Sequence, residues 1–258
     1  MKLLRSAAII LLGVAALAAH AEQAPSSQYQ QGEREFSLKH FDKAFEFYEQ
    51  AAAQGDLFAQ IKVGQMYYEG LGVPQDHAKA YRAYLVAAEK GAPNAQCMVA
   101  VMLQEGLGTL QDVKQAAEWY QKAAQQGNDM AMFNMSMLYR DGKGVDRSPE
   151  KALELLQQAA NRNNPRALVE IGNLYHDGEG GLPLSRRKAT EFYAKAAALG
   201  DPAAQIALGM AYCLGEGIEQ DMVKARKCIK MAFDNPDADD ALKRRAEAIW
   251  QKYKLHSY

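Results

Sequence analysis

Cysteine is scarce in this chain of 258 residues, which carries only Cys97, Cys213 and Cys228. Three thiols make at most one internal bridge, so no disulfide framework supports the fold and an apolar core must hold it alone. Cys213 and Cys228 fall on the two predicted helices of one repeat, and their spacing leaves a bridge between them open. Histidine is sparse as well. Of five, none stands in a His-Glu-x-x-His spacing that would set two imidazoles on one helix face for a metal. The nucleophile elbow Gly-x-Ser-x-Gly is missing. A surplus of positive charge is missing too, which disfavours nucleic acid as a partner. Finally, no Pro-, Gly- or Ser-rich linker interrupts residues 25–253, so one continuous array without an internal domain boundary is expected.

What is present begins at the N-terminus. Lys2 and Arg5 precede an apolar run from Ala7 to Ala19, followed by Ala19-His20-Ala21 and then polar Glu22. That order reads as a secretory leader at residues 1–21, cut after Ala21. The run falls short of the ~20 apolar residues that span a bilayer, and no other stretch is long enough. No cysteine stands at the cut, so lipid attachment is not expected. Without Lys2 and Arg5, 28 basic residues face 31 acidic ones. The expected destination is the periplasm or the exterior, with no membrane insertion after cleavage.

The main signal is a repeat. Gly-x-Gly pairs stand at Gly70/Gly72, Gly106/Gly108, Gly142/Gly144, Gly178/Gly180 and Gly215/Gly217, at offsets of 36, 36, 36 and 37. The extra residue is Gly181. Ala59, Ala95, Ala131, Ala167 and Ala204 keep the same register, as do Ala80, Ala116, Ala152, Ala189 and Ala225. Behind each glycine pair comes a helix-capping residue, namely Asp76, Asp112, Ser148, Ser185 and Asp221. Asp56, Asn128, Asn164 and Asp201 start the other helix of each unit, with Ala92 the exception. Apolar spacing between caps is helical, as at Ala59, Val63, Met66 and Tyr67. Each unit is thus a helical hairpin, with glycines tolerant of positive φ where the chain leaves the first helix. No strand precedes these glycines, which sets aside a phosphate-binding loop. Small residues at Gly64, Ala100, Ser136, Gly172 and Gly209 allow close helix approach, and Tyr67, Tyr139, Tyr175 and Tyr212 fill space between helices.

The run Ala59-Gln60…Gly64…Tyr67…Gly70-Leu71-Gly72-Val73…Asp76…Lys79-Ala80…Tyr84…Ala87-Ala88…Gly91 resembles the Sel1-like repeat. Residues 56–236 look like five such units. Asn163 replaces one patterned glycine, and Cys228 stands in a last unit lacking the usual aromatic. Gly32, Ala44, Tyr48 and Ala51 match ordinary tetratricopeptide spacing, so residues 22–55 read as an N-terminal variant with a tight turn near His40-Phe41-Asp42. Residues 237–258 read as a capping helix, with Ala241, Ala246, Ile249, Trp250 and Tyr253 over the last hairpin. Its Lys243, Arg244, Arg245, Lys252 and Lys254 keep the outer side wet. The resemblance implies an all-α fold, an α/α solenoid of antiparallel hairpins in a right-handed superhelix with first helices lining a concave face.

It also implies a non-catalytic scaffold or adaptor, here of the bacterial cell envelope, holding a protein or peptide and needing no cofactor. Groove candidates are first-helix positions that differ between units: Lys62, Gln65, Tyr68, Met98, Val101, Asn134, Met137, Glu170, Asn173 and His176. Met130, Met132, Met135 and Met137 add adaptable side chains, with core packing as the plainer role. The alternative is an envelope enzyme acting on cell-wall or sugar material, which needs paired carboxylates converging on a cleft. Glu69, Glu105, Asp141 and Asp177 share one register at helix ends, the pattern of a solvated stripe.

Overall fold

The structure is a computed structural model that describes residues 25–258. The predicted leader lies outside the described residues. Among these the secondary structure is helical throughout: α1 (Ser27–Ser37), α2 (Phe41–Ala53), α3 (Leu57–Glu69), α4 (His77–Glu89), α5 (Pro93–Glu105), α6 (Val113–Gln125), α7 (Asp129–Asp141), α8 (Pro149–Asn161), α9 (Pro165–Asp177), α10 (Arg186–Ala198), α11 (Pro202–Leu214), α12 (Met222–Phe233), α13 (Asp240–Lys252) and a 3-10 turn at Leu255–Ser257. Consecutive helices pack as antiparallel hairpins, making an α/α solenoid. They group into two compact units that divide between Asn128 and Asp129, at a repeat boundary that no linker sequence marks.

The caps set the helix starts. Asp76, Asp112, Ser148, Ser185 and Asp221 each accept a hydrogen bond from the backbone N–H three residues on. Asp56, Asn164 and Asp201 do the same for first helices, while Ala92 holds the same φ/ψ as Asp56 without a side-chain bond. At the other end, Gly70, Gly106, Gly178 and Gly215 close their helices in the left-handed region. Asn163 takes a patterned glycine's place at φ 62, a conformation that asparagine tolerates.

The second glycine of each pair has a different task. A Cβ on Gly72, Gly108 or Gly217 would lie 2.4, 2.1 or 2.2 Å from the carbonyl oxygen of Phe41, His77 or Arg186. The loop is therefore seated on the first turn of the preceding hairpin's second helix. Gly180, beside the extra Gly181, instead faces the Leu174 side chain of its own hairpin.

Within hairpins, the small first-helix residue receives a large one from the second. Gly64 meets the Tyr84 ring, Gly172 the Tyr193 ring and Gly209 the Ile229 side chain. Lysine ammoniums lie over the first-helix tyrosines in four hairpins: Lys79 over Tyr67, Lys151 over Tyr139, Lys188 over Tyr175 and Lys224 over Tyr212, at 4.8–5.5 Å. Such exposed cation–π pairs are worth about 0.5–1 kcal/mol each. In the α5/α6 hairpin both partners are replaced together, by Leu103, which is buried, and Gln115, which is exposed.

In the first hairpin the turn falls at Leu38–His40, with Lys39 at φ 62, so Phe41 and Asp42 are already helical. At the far end α13 packs on α12 through Ala246 and Ile249, with Leu242, Trp250 and Tyr253 around them, while Ala241 faces solvent. A left-handed Lys254 then turns the chain back and buries Leu255 completely. Cys213 and Cys228 are free thiols and do not bridge, and burial raises the pKa of both, which keeps them in the less reactive thiol form. Among the described residues no helix is long and apolar enough to cross a membrane.

Candidate functional site

The site grows from the hairpin packing of α9 and α10. Gly172 leaves room for the Tyr193 ring to cross to α9, where its hydroxyl donates to Oδ1 of Asn173 at 2.8 Å. Burial pushes the Tyr193 phenol up to about 12; Asp177 adds to the rise, and Arg186 and Arg245 oppose it. Three residues beyond Asn173, His176 sits between Oδ1 of Asp177 (2.6 Å) and the Arg186 guanidinium. Glu216 closes this group, 3.6 Å from both Arg186 and His176. Its position follows from the seating of the Gly217 loop on Arg186. Thr190 latches that seat, its hydroxyl donating toward the carbonyls of Arg186 (3.0 Å) and Glu216 (2.9 Å).

These polar groups rim a cleft of 590 Å³ in the second unit. Its floor is apolar, made by Val169 on α9 and by Ala203, Ala207 and Met210 on α11. Arg245, from the capping helix α13, completes the wall. An adjoining cleft of 660 Å³ shares Val169 and Ala203 and runs toward Glu170, Asp201, Asp237 and Asp239.

The structure thus brings Glu170, Asn173 and His176 together along one helix face opening into two joined clefts. Glu170 also receives a salt bridge from Arg140 at 2.8 Å. On α7, Asn134 and Met137 are half-buried; Met132 and Met135 belong to the core, and Met130 is exposed. In the first unit the candidates are held by neighbours. Lys62 is pinned by Glu33 at 2.9 Å and lies over the rings of Phe36 and Tyr48. Gln65 donates to Glu69, Tyr68 packs on the His77 ring, and Met98 and Val101 are half-buried on α5.

Sequence reasoning missed Arg186, Tyr193, Glu216 and Arg245. One usable signal existed: the first position of each second helix is Phe41, His77, Val113, Pro149, Arg186 and Met222, and such variability marks Arg186 by the criterion used for first helices.

Glu69, Glu105, Asp141 and Asp177 end their helices exposed, as the stripe predicts. Arg140, hydrogen-bonded to Asp141, holds that carboxyl below the usual range, with Lys143 assisting. In the cleft, Asp177 is bonded to His176 and Glu216 lies beside Arg186. Among the described residues no group of three or more potential metal ligands converges.

A solenoid of small-residue hairpins with its cleft between first helices is a repeat scaffold, and comparison with known proteins agrees. The Sel1 repeat model matches residues 29–56, 57–91, 93–128, 129–164, 165–201 and 202–237, so the chain belongs to the Sel1 repeat family. The first hairpin, read above as a tetratricopeptide variant, is matched as a sixth such repeat. A Sel1 repeat protein from Oxalobacter formigenes is similar in structure, with a TM-score of 0.75 and 28% identity, covering 87% of this chain and 99% of that one. A protective antigen present in uropathogenic Escherichia coli strains has a TM-score of 0.70 and 29% identity, covering 93% of this chain and 56% of that one. An uncharacterized Sel1-like repeat-containing protein of Schizosaccharomyces pombe is 49% identical over 51 residues, which span 20% of this chain and 7% of the relative's length. Proteins of this family are generally protein-interaction scaffolds.

Proposed function

We propose that this chain is an exported, non-catalytic scaffold of the cell envelope that holds a protein segment in the joined clefts of its second unit. The observation that carries the reading is the 590 Å³ cleft itself, with a floor of small apolar residues and a rim of polar groups. Ligand sites combine these two elements, apolar area for affinity and a few placed polar groups for orientation. The order of Lys2, Arg5, the apolar run and Ala19-His20-Ala21 supports export.

The test places a photo-crosslinking side chain at Ala207 in the cleft and, separately, at exposed Gln157 on α8, in cells of the source organism. The reading expects a discrete protein adduct from position 207 that is absent from position 157. Equal labelling from both sites would overturn it. Export is tested on the same material: a mature chain beginning at Glu22 in the envelope fraction is expected, and an intact N-terminus in the cytosol refutes it.

A further inference from the structure

Arg245, predicted from sequence to keep the outer side of the capping helix wet, is exposed and also lines the cleft. Its charge reaches Tyr193, and among the described residues it makes no hydrogen bond or ion pair. The other charges on this rim already have partners: Asp177 with His176, and Arg186 with His176 and Glu216. A cation without a partner beside an apolar floor is the arrangement that selects a carboxylate on an incoming chain.

The adjoining cleft has the opposite character. Asp201, Asp237 and Asp239 line it against the single cation Arg166, since Glu170 is paired with Arg140. The Asp201 and Asp239 carboxylates each accept a cap bond, and that of Asp237 accepts no bond among the described residues. Asp239, the N-cap of α13, precedes Arg245 by six residues, ~9 Å at 1.5 Å per residue. An extended peptide advances ~3.3 Å per residue, so ~9 Å corresponds to about three residues.

Resting on the scaffold reading above, we propose that the joined clefts take an extended segment of a partner protein in which an acidic side chain pairs with Arg245 and a basic side chain two or three positions away enters the aspartate-lined cleft, with small apolar residues on Val169, Ala203 and Ala207. The capping helix, outside the matched repeats, then supplies both the selective cation and part of the acidic wall. The pairs formed are partly exposed, so each changes affinity by at most about fivefold.

The experiment selects a random twelve-residue peptide display library on the mature chain, with counter-selection on Ala207→Trp, which fills the cleft. Enriched sequences are expected to carry an acidic residue and a basic residue two or three positions apart. Replacing the acidic residue by its amide should weaken binding to the native protein by about two- to fivefold and leave binding to Arg245→Gln unchanged. Arg245→Glu should move the preference at that position to lysine. Neither Arg245 substitution removes a bond within the protein, so both variants should melt with the native chain. Cleft-dependent peptides lacking the acidic residue, or a preference that Arg245→Glu leaves unaltered, overturn the charge assignment while the scaffold reading stands. Peptides that bind Ala207→Trp as well as native protein overturn both. Self-association abolished by Ala207→Trp would assign the clefts to a second copy and overturn the proposal.

Discussion

Gly215 and Gly217 lie two residues apart in one loop and share a φ of 70°. Replacing either by alanine costs the left-handed strain of an L-residue, about 1–2 kcal/mol. Their surroundings then separate them. The new Cβ at position 215 meets Gln220 at 3.5 Å, an ordinary contact, whereas at position 217 it falls 2.2 Å from the Arg186 carbonyl oxygen. More than an ångström of backbone movement is needed, and forced overpacking of this kind adds about 1–3 kcal/mol. Gly217→Ala should therefore cost about 2–5 kcal/mol in all, against about 1–2 for Gly215→Ala. Because a repeat array need not unfold in one step, urea unfolding should be followed by hydrogen exchange on α10–α12. Gly217→Ala should also displace Glu216 from Arg186 and weaken cleft-dependent binding. Equal destabilisation by the two substitutions would refute the claim that the loop is seated on the neighbouring hairpin.

Other outcomes follow from the same structure. Ala92 has the backbone of an N-cap and no side chain to serve it, so Ala92→Asp should raise stability by about 0.5–2 kcal/mol in a urea titration; no gain would mean the α5 start is already satisfied. Leu255→Ala empties a completely buried position and should cost about 2–5 kcal/mol, read as loss of exchange protection in α12 and α13; unchanged protection would show the last turn to be dispensable. Burial alone would raise the carboxyls of Glu33 and Asp56. The Tyr48 hydroxyl and Lys62 on Glu33, and the Ser26, Ala59 and Phe58 N–H groups on Asp56, turn both shifts downward. Carboxyls lowered in the folded state stabilise it above their ordinary values of 4.5 and 3.8, and lose that contribution as pH falls below them. The first unit should therefore weaken on the acid side of that window, and Glu33→Gln should flatten the dependence; a pH-independent urea midpoint in the native chain contradicts it.

How much of this was legible depends on the range of the contact. The caps Asp76, Ser148 and Asp201 and the closing glycines could be read because each acts within a few residues of its own position. Gly64 and Gly172 could be read as small, and the recurring Tyr67, Tyr139, Tyr175 and Tyr212 as large. Lys62 and Arg245 could not. A variable first-helix lysine looks free until Glu33, two helices upstream, is placed 2.9 Å from it. Arg245 is exposed, as a basic residue on a terminal helix should be, but that it also borders a cleft with residues of α9 and α11 is set only by how the helices stack. The variable positions Asn173 and His176 did lead to the cleft; its other walls come from later elements, and only stacking brings those there.

The loop seats give the array a direction. Each of Gly72, Gly108 and Gly217 rests on the hairpin before it, as a stacked cup rests in the one below, so a hairpin's exposed first turn is covered only when its successor arrives. Gly180, displaced by the extra Gly181, does not make that contact. The seam between α8 and α9 is therefore the place in the second unit where the stack can open or lengthen without disturbing a seat. Under load, α9 should part from α8 before α11 parts from α10, leaving the cleft-bearing hairpins together.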